Sequence, residues 1–382
     1  MEVSLNKIIL IPDSFKGTMS STEICEIMSK VVHKYFPCAE IISVPVADGG
    51  EGSVDAFLTA VGGKKVILNV KGPYFEEIQS FYGILPDNTA IIEMAAAAGL
   101  PLVGNKRYPE KTTTYGVGQL IEHAAKAGCK RIIVGLGGSC TNDGGVGAVT
   151  ALGVSFIDET GSNFIPVGES LDKIASIDVS GLNPALKGIE IITMCDIDNP
   201  LCGSQGAAVV FAPQKGANEE VVQMLDANLG HLAEVIKRDL GKDIMNIAGA
   251  GAAGGMGGGM SAFLNSRLQM GIETVLDTVG FDSMLKDADL VITGEGKIDS
   301  QSLRGKVVMG VARRTKKAGV TLIAIVGDIG NHIEKAYEEG VNAIFSINRV
   351  ALPFSKARER CKNDLMLTID NLMRFISHNK FK

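Results

Sequence analysis

Six stretches of this chain combine glycine with carboxylate, amide, hydroxyl or ammonium side chains, and each directly follows an apolar run. In PDSFKGTMSS, Asp13, Ser14 and Lys16 precede a helix-like segment. A lysine in such a turn holds a phosphate or carboxylate as a point charge. The same stretch also reads as a helix N-cap at Ser20 or Ser21, with Lys16 in water. In VPVADGGEGS, Asp48 and Glu51 flank flexible backbone. They suit Mg²⁺, bound directly or through water, or simply a favourable helix start.

The third stretch, GLGGSCTNDGGVGA, offers Gly137, Gly138, Ser139, Asn142 and Asp143 ahead of a small-residue helix. Backbone N–H groups there make a cradle for phosphate or carboxylate; close strand–helix packing is the other reading. The fourth, IAGAGAAGGMGGGMSAFL, includes Gly249, Gly251, Gly254 and Gly255. Each glycine in a helix interior costs about 1 kcal/mol against alanine. The stretch therefore reads as a wide anion-binding loop feeding a helix at Ser261, with a hinge as the alternative. In the fifth, Asp196 and Asp198 follow a strand two residues apart, an arrangement able to share a metal or a reacting hydroxyl. The sixth, ITGEGKIDSQSLRGK, holds Glu295, Asp299 and Lys306, and its acids can equally cap turns.

Acids, lysines and glycine-rich backbone, with no cluster of thiol or imidazole, suit phosphoryl transfer. That reaction asks for positioning, Mg²⁺ and charge neutralisation more than for covalent catalysis. Asp48, Glu51, Asp198, Glu295 and Asp299 are the expected metal-contacting acids. Asp196 is the expected base for an acceptor hydroxyl, and Lys16 the cation that steadies the moving phosphoryl group or grips a carboxylate. The five histidines lie away from these stretches, so a serine triad is not expected. No GxxxxGK[ST] occurs, and no clean GxGxxG is followed by an acid at the dinucleotide spacing.

The elements that must position these residues alternate. KIILIP, a helix over 22–36 and EIISVPVAD form a βαβ unit, which implies parallel strands covered on both faces. ADLVITGEG, a helix over 306–318, TLIAIVGD, a helix over 332–339 and NAIFSI continue that style. Between them, KKVILNV, IQSFYGIL and TAIIEM follow one another too closely for intervening helices, so antiparallel pairing is expected. RIIVGLGG, IEIITMCD and AAVVFAP read as further strands. The expected architecture is α/β: a flavodoxin-like or Rossmann-like parallel-sheet domain from residues 1–70 plus 285–382, with an inserted mixed α/β domain over 71–284. Two sequential domains dividing near Gly161 are the alternative.

Composition narrows the function classes. The 382 residues carry 37 basic and 43 acidic side chains, a net charge of −6, with no tryptophan. No basic excess drives nucleic-acid or membrane binding, and base-stacking surface is scarce. The seven cysteines lack CxxC spacing and are odd in number, arguing for a reducing, cytoplasmic setting and against structural zinc. Neither a secretory leader nor a membrane-spanning run is legible. Residues and spacing alone stop at a ligand-binding α/β enzyme of phosphotransferase type; a kinase of another small hydroxy acid, a nicotinamide-dependent dehydrogenase or a non-catalytic ligand-binding regulator stays open.

Nine stretches resemble the type I glycerate kinase family, in that family's order from Leu10 to Lys306: PDSFKG, PVADGGEG, IEMAAAAGL, TTTYGVGQLI, GLGGSCTNDGGVGA, CDIDNPLCG, VFAPQKGA, AGAGAAGGMGGG and ADLVITGEGKIDSQSLRGK. The resemblance implies ATP-dependent phosphorylation of D-glycerate with Mg²⁺, carried by two α/β domains, one flavodoxin-like, with a cleft between them. It favours 2-phosphoglycerate as product, with 3-phosphoglycerate as the other possibility. It also sets the chain apart from glycerate kinases that carry a P-loop.

Overall fold

A computed structural model of the chain describes residues 5–46, 50–299 and 306–378. In chain order its strands are β1 (Lys7–Pro12), β2 (Glu40–Ser43), β3 (Lys64–Lys71), β4 (Glu77–Ile84), β5 (Thr89–Glu93), β6 (Arg131–Gly135) and β7 (Ser155–Ile157). They continue as β8 (Asn163–Phe164), β9 (Ser176–Asp178), β10 (Glu190–Met194), β11 (Arg267–Gln269), β12 (Leu290–Ile298), β13 (Thr321–Ile329) and β14 (Ala343–Ser346). The chain divides into two compact units, one from residues 1–48, 59–61 and 272–382, the other from 49–58 and 62–271.

The first unit carries a parallel sheet in the order β14-β13-β12-β1-β2. Within the unit this is the 2-1-3-4-5 order of flavodoxin-like sheets, and the order reverses between β1 and β12. Ile8, Leu10, Ile292 and Ile325 are buried against Met28 and Val32 of the helix Ser21–Tyr35 and Leu365 and Ile369 of the helix Phe354–His378. Each such side chain contributes about 1.5–3 kcal/mol on burial. The helix Ser21–Tyr35 starts where Ser20 and Glu23 form a reciprocal capping box.

The second unit carries the sheet β11-β10-β6-β5-β4-β3. Strands β11, β10, β6 and β5 run parallel, while β4 and β3 return antiparallel, as their short connections predict. A small antiparallel sheet, β8-β7-β9, lies apart from it.

Four expectations need correction. Lys64–Lys71 pairs along its length with β4, so the second unit starts before residue 70. The segment from Ile272 joins the first unit, where Arg314 binds Glu273, Asp277 and Asp282 at 2.7, 2.6 and 3.2 Å. AAVVFAP is a helix, Ala207–Phe211, not a strand; burial of Ala207 and Ala208 outweighs the strand preference of its two valines, which stay exposed. Glu295 lies inside β12 instead of in a loop after it, because that strand pairs with β13 as far as Ile298. No helix among the described residues is long and apolar enough to cross a membrane.

Candidate functional site

In the second unit, register brings three strand ends level. Glu93 of β5 and Met194 of β10 both pair with Gly135 of β6. Ligands in open α/β sheets bind beyond such carboxyl ends. The loop after β6 is the most elaborate of the three. The Cys140 N–H donates to the Ala98 carbonyl at 3.0 Å, and the Leu100 N–H to the Gly138 carbonyl at 2.8 Å. Among the hydrogen bonds of the described residues, none uses the N–H of Gly137, Gly138 or Ser139. Three successive donors are thus left for a ligand or water, the arrangement of an anion nest. Gly138 is exposed with φ +74°, and a Cβ there would lie 3.7 Å from Glu51 Oε1. A carboxylate from the second glycine-rich stretch therefore stands beside the third.

Asp143 has a different place from the one expected. Its side chain is fully buried and turned inward, accepting from the Thr114 N–H and hydroxyl at 2.8 Å each, from Gly145 N at 3.1 Å and from Gly147 N at 3.3 Å. Burial pushes its carboxyl above the usual range, opposed by those donors. Asp143 fastens the loop to the start of the helix Tyr115–Lys126; its oxygens are occupied, so it is not a direct phosphate or substrate contact.

The fourth stretch, residues 247–264, packs against this loop. Gly249, Gly251, Gly254 and Gly255 are buried, and the run is a helix, Ala252–Leu264, broken by positive φ at 253–255. A Cβ on Gly254 would sit 2.1 Å from the Thr141 carbonyl oxygen, and one on Gly251 2.3 Å from that of Pro200. The Gly144 N–H donates to the Gly254 carbonyl at 2.9 Å. These glycines let two backbones touch. They form a packing contact in place of the expected wide anion-binding loop, because their Cα positions lie against neighbouring backbone.

Two residues carry much of the site without having been assigned a role from sequence. Lys215 is buried, and its ammonium donates to Ser139 Oγ at 2.8 Å and to the Thr141 carbonyl at 2.6 Å. Burial lowers its pKa to about 8, against the pull of Cys140 and Asp143. Glu93, also buried, accepts from the Val54 N–H at 2.7 Å, supplying the cap that Gly52 cannot give the helix Ser53–Val61. Burial raises its carboxyl pKa. The signal for both was weak: an acid ending the apolar run IIE and a lysine closing VFAPQKGA.

Beyond β10, Asp196 and Asp198 are both exposed, and Asp196 accepts from the Gly271 N–H at 2.7 Å. They lie past the strand, not at its last residues.

In the first unit, Pro12 pairs with Gly294, so the turn Asp13–Lys16 emerges beside Glu295 where the strand order reverses. A cavity of about 290 Å³ opens there, walled by Phe15, Lys16, Gly296, Asp328, Asn348 and Arg358. Lys16 is exposed; Asp13 and Ser14 are half-buried, and Asp13 Oδ1 accepts from the Ser14 N–H at 2.6 Å. Glu295 is buried, Asp299 lies 3.7 Å from the Lys297 ammonium, and Lys306 stands exposed at the N-cap of the helix Val307–Ala318. Asp48 lies outside the described residues. Among those described, no group of three or more His, Cys, Asp or Glu side chains gathers as a metal site, so the five expected acids do not form one cluster.

A parallel-sheet unit with a cavity at its switch point, and a second sheet with an anion nest beyond the carboxyl end of its interior strand β6, define an α/β enzyme that handles small anionic ligands. The chain belongs to the glycerate kinase family, whose model matches residues 8–377. It is 46% identical over 355 residues to a glycerate kinase of Bacillus subtilis (strain 168), covering 92% of this chain and 93% of that one. A glycerate 2-kinase of Escherichia coli (strain K12) is 46% identical over 343 residues, 89% and 90% of the two chains. A crystal structure from Salmonella typhimurium LT2, provisionally described as glycerate kinase 2, superposes with a TM-score of 0.87 at 42% identity over 98% of each chain.

Proposed function

We propose that this protein is a type I glycerate kinase that transfers the γ-phosphoryl group of ATP to D-glycerate in the cytoplasm, with 2-phosphoglycerate as the favoured product. The observation that carries the reading is the Gly137–Ser139 nest with Glu51 beside it, in a chain of this family. The name of the Escherichia coli relative supports the 2-position. In the transfer, the glycerate hydroxyl oxygen bonds to the γ-phosphorus as the bond to the β–γ bridging oxygen breaks, and ADP leaves with those electrons. The hydroxyl proton goes to a carboxylate, for which Asp196 is the proposed base.

The cavity beside Lys16 is the proposed seat of the nucleotide, with Lys16 close to its phosphates. Mg²⁺ held with a nucleotide needs only one or two protein carboxylates besides the phosphates. Glu295, buried next to the cavity-lining Gly296, fits that need, with Asp299 as the second contact. The metal would supply charge neutralisation. The test is to incubate the protein with ATP, D-glycerate and Mg²⁺, follow ADP release, and assign the product by phosphorus NMR. No glycerate-dependent ADP, or phosphate on another acceptor, would overturn the reading; phosphate on the 3-hydroxyl would overturn only the regiochemistry.

A further inference from the structure

Buried polar atoms are paired almost without exception, because an unpaired one loses its hydration and gains nothing. Two side chains in the second unit depart from that rule together, and a buried lysine is bonded to their loop. Asn142 is fully buried, yet neither its amide nitrogen nor its amide oxygen has a hydrogen-bond partner. Thr141 is fully buried, and its hydroxyl likewise has none. Lys215 is buried with two acceptors, Ser139 Oγ and the Thr141 carbonyl. An ammonium has three protons, so the third is unmatched.

These groups belong to one loop and to the lysine bonded to it. The nearest negative charge, Asp143, is saturated by donors from Thr114, Gly145 and Gly147 and forms no ion pair with Lys215. The unpaired set is weighted toward donors: a cation, an amide NH₂, a hydroxyl, and the N–H groups of Gly137 to Ser139 close by in sequence, against one unpaired acceptor, Asn142 Oδ1. Donor excess beside a buried cation suits a compact oxyanion. A second cation would meet Lys215, and an apolar group would leave every donor stranded.

We propose that Lys215, Thr141 and Asn142 are an oxyanion subsite that holds a carboxylate or phosphoryl group of a substrate, Lys215 by its charge and Asn142 by its amide. This rests on the glycerate kinase reading, within which the two sources of such a group are the carboxylate of glycerate and the phosphates of the nucleotide. Neither side chain acts as acid or base in this role; both bind and position. The subsite also accounts for the lysine lying between Ser139 and Thr141, where it shapes the loop before the ligand arrives.

The test compares wild type with Asn142→Leu, which keeps the branched heavy-atom skeleton and removes the polar atoms, and with Lys215→Met. Wild-type turnover is measured first, so that a failure of the kinase reading is seen separately; in that event, binding of D-glycerate and of inorganic phosphate by calorimetry judges the subsite alone. In steady-state kinetics, a tenfold or greater rise in KM for D-glycerate, with KM for ATP changed less than twofold, supports the subsite and makes the ligand the carboxylate. The reverse pattern supports it with the phosphoryl group as ligand. Asn142→Leu should also unfold at the same or a higher temperature than wild type without ligand, while losing the upward shift that the ligand gives wild type. If Asn142→Leu folds and both KM values and the ligand-induced shift are unchanged, the proposal is overturned, whatever Lys215→Met does.

Discussion

The two glycine-rich sites are built on opposite plans. Around Gly137–Asp143 the loop is braced on every side: Asp143 from the helix start, Lys215 through Ser139 and Thr141, and the Gly254 backbone from behind. Around Asp13–Lys16 the backbone is tied by Phe15 to Met19 and by Asp13 to Gly294, while the Lys16 side chain stands exposed on a cavity. The first plan fixes donors before a ligand comes, so that no reorganisation is needed in the reaction. The second leaves room and an exposed charge for something bulkier. Substitution of the brace Asp143 should therefore cost stability first and activity as a consequence; substitution of Lys16 in the open turn should cost activity alone.

The hardest blow to this contrast is struck at Asp143. Asp143→Ala strands four buried donors, and the expected loss is about 3–5 kcal/mol in urea unfolding, as for breaking a buried charged network. A loss under about 1 kcal/mol would mean the loop does not depend on this brace.

Lys215 gives the contrast a pH signature. Its folded pKa, about 8, lies below the ordinary 10.5. Between those values the unfolded chain binds more protons, so stability rises with pH across the window and is lost as pH falls through about 8. Relative to Lys215→Met, wild type should gain on the order of 3 kcal/mol from pH 8 to 10.5. A pH-independent difference would remove Lys215 from the buried, braced set.

Lys16 tests the open side. Lys16→Met should lower kcat on the order of 10²-fold, since an ammonium facing developing charge is gone, while stability shifts by no more than about 0.5 kcal/mol, as for an exposed residue. Stability loss with intact kcat would reverse the assignment of plans.

The smallest effect belongs to Ser20, in the same stretch as Lys16 but turned to the helix. Ser20→Ala should cost about 1 kcal/mol in thermal unfolding and leave both KM values unchanged. A rise in the KM for ATP would place Ser20 in the site and blur the line between cap and ligand contact.

Local physics was readable without the fold. Alternating apolar runs and turn residues marked β1, β12, β13 and the antiparallel β3, β4 and β5, because period and turn chemistry act over a few residues. Loops at strand ends marked where chemistry would gather, since parallel strands send their carboxyl ends one way. The sequence also made Asp143 and the glycines of 249–255 resemble ligand contacts, because a Gly-Asp loop has the same composition whether it faces a ligand or a neighbouring backbone. Only tertiary packing decided between these. It left no room for a Cβ on Gly254, which would lie 2.1 Å from the Thr141 carbonyl oxygen, turned Asp143 inward, and brought Lys215 to a loop more than seventy residues before it. Burial and pairing at that separation leave no local period to read, so the side chains that hold the braced loop became visible only when the chain was folded.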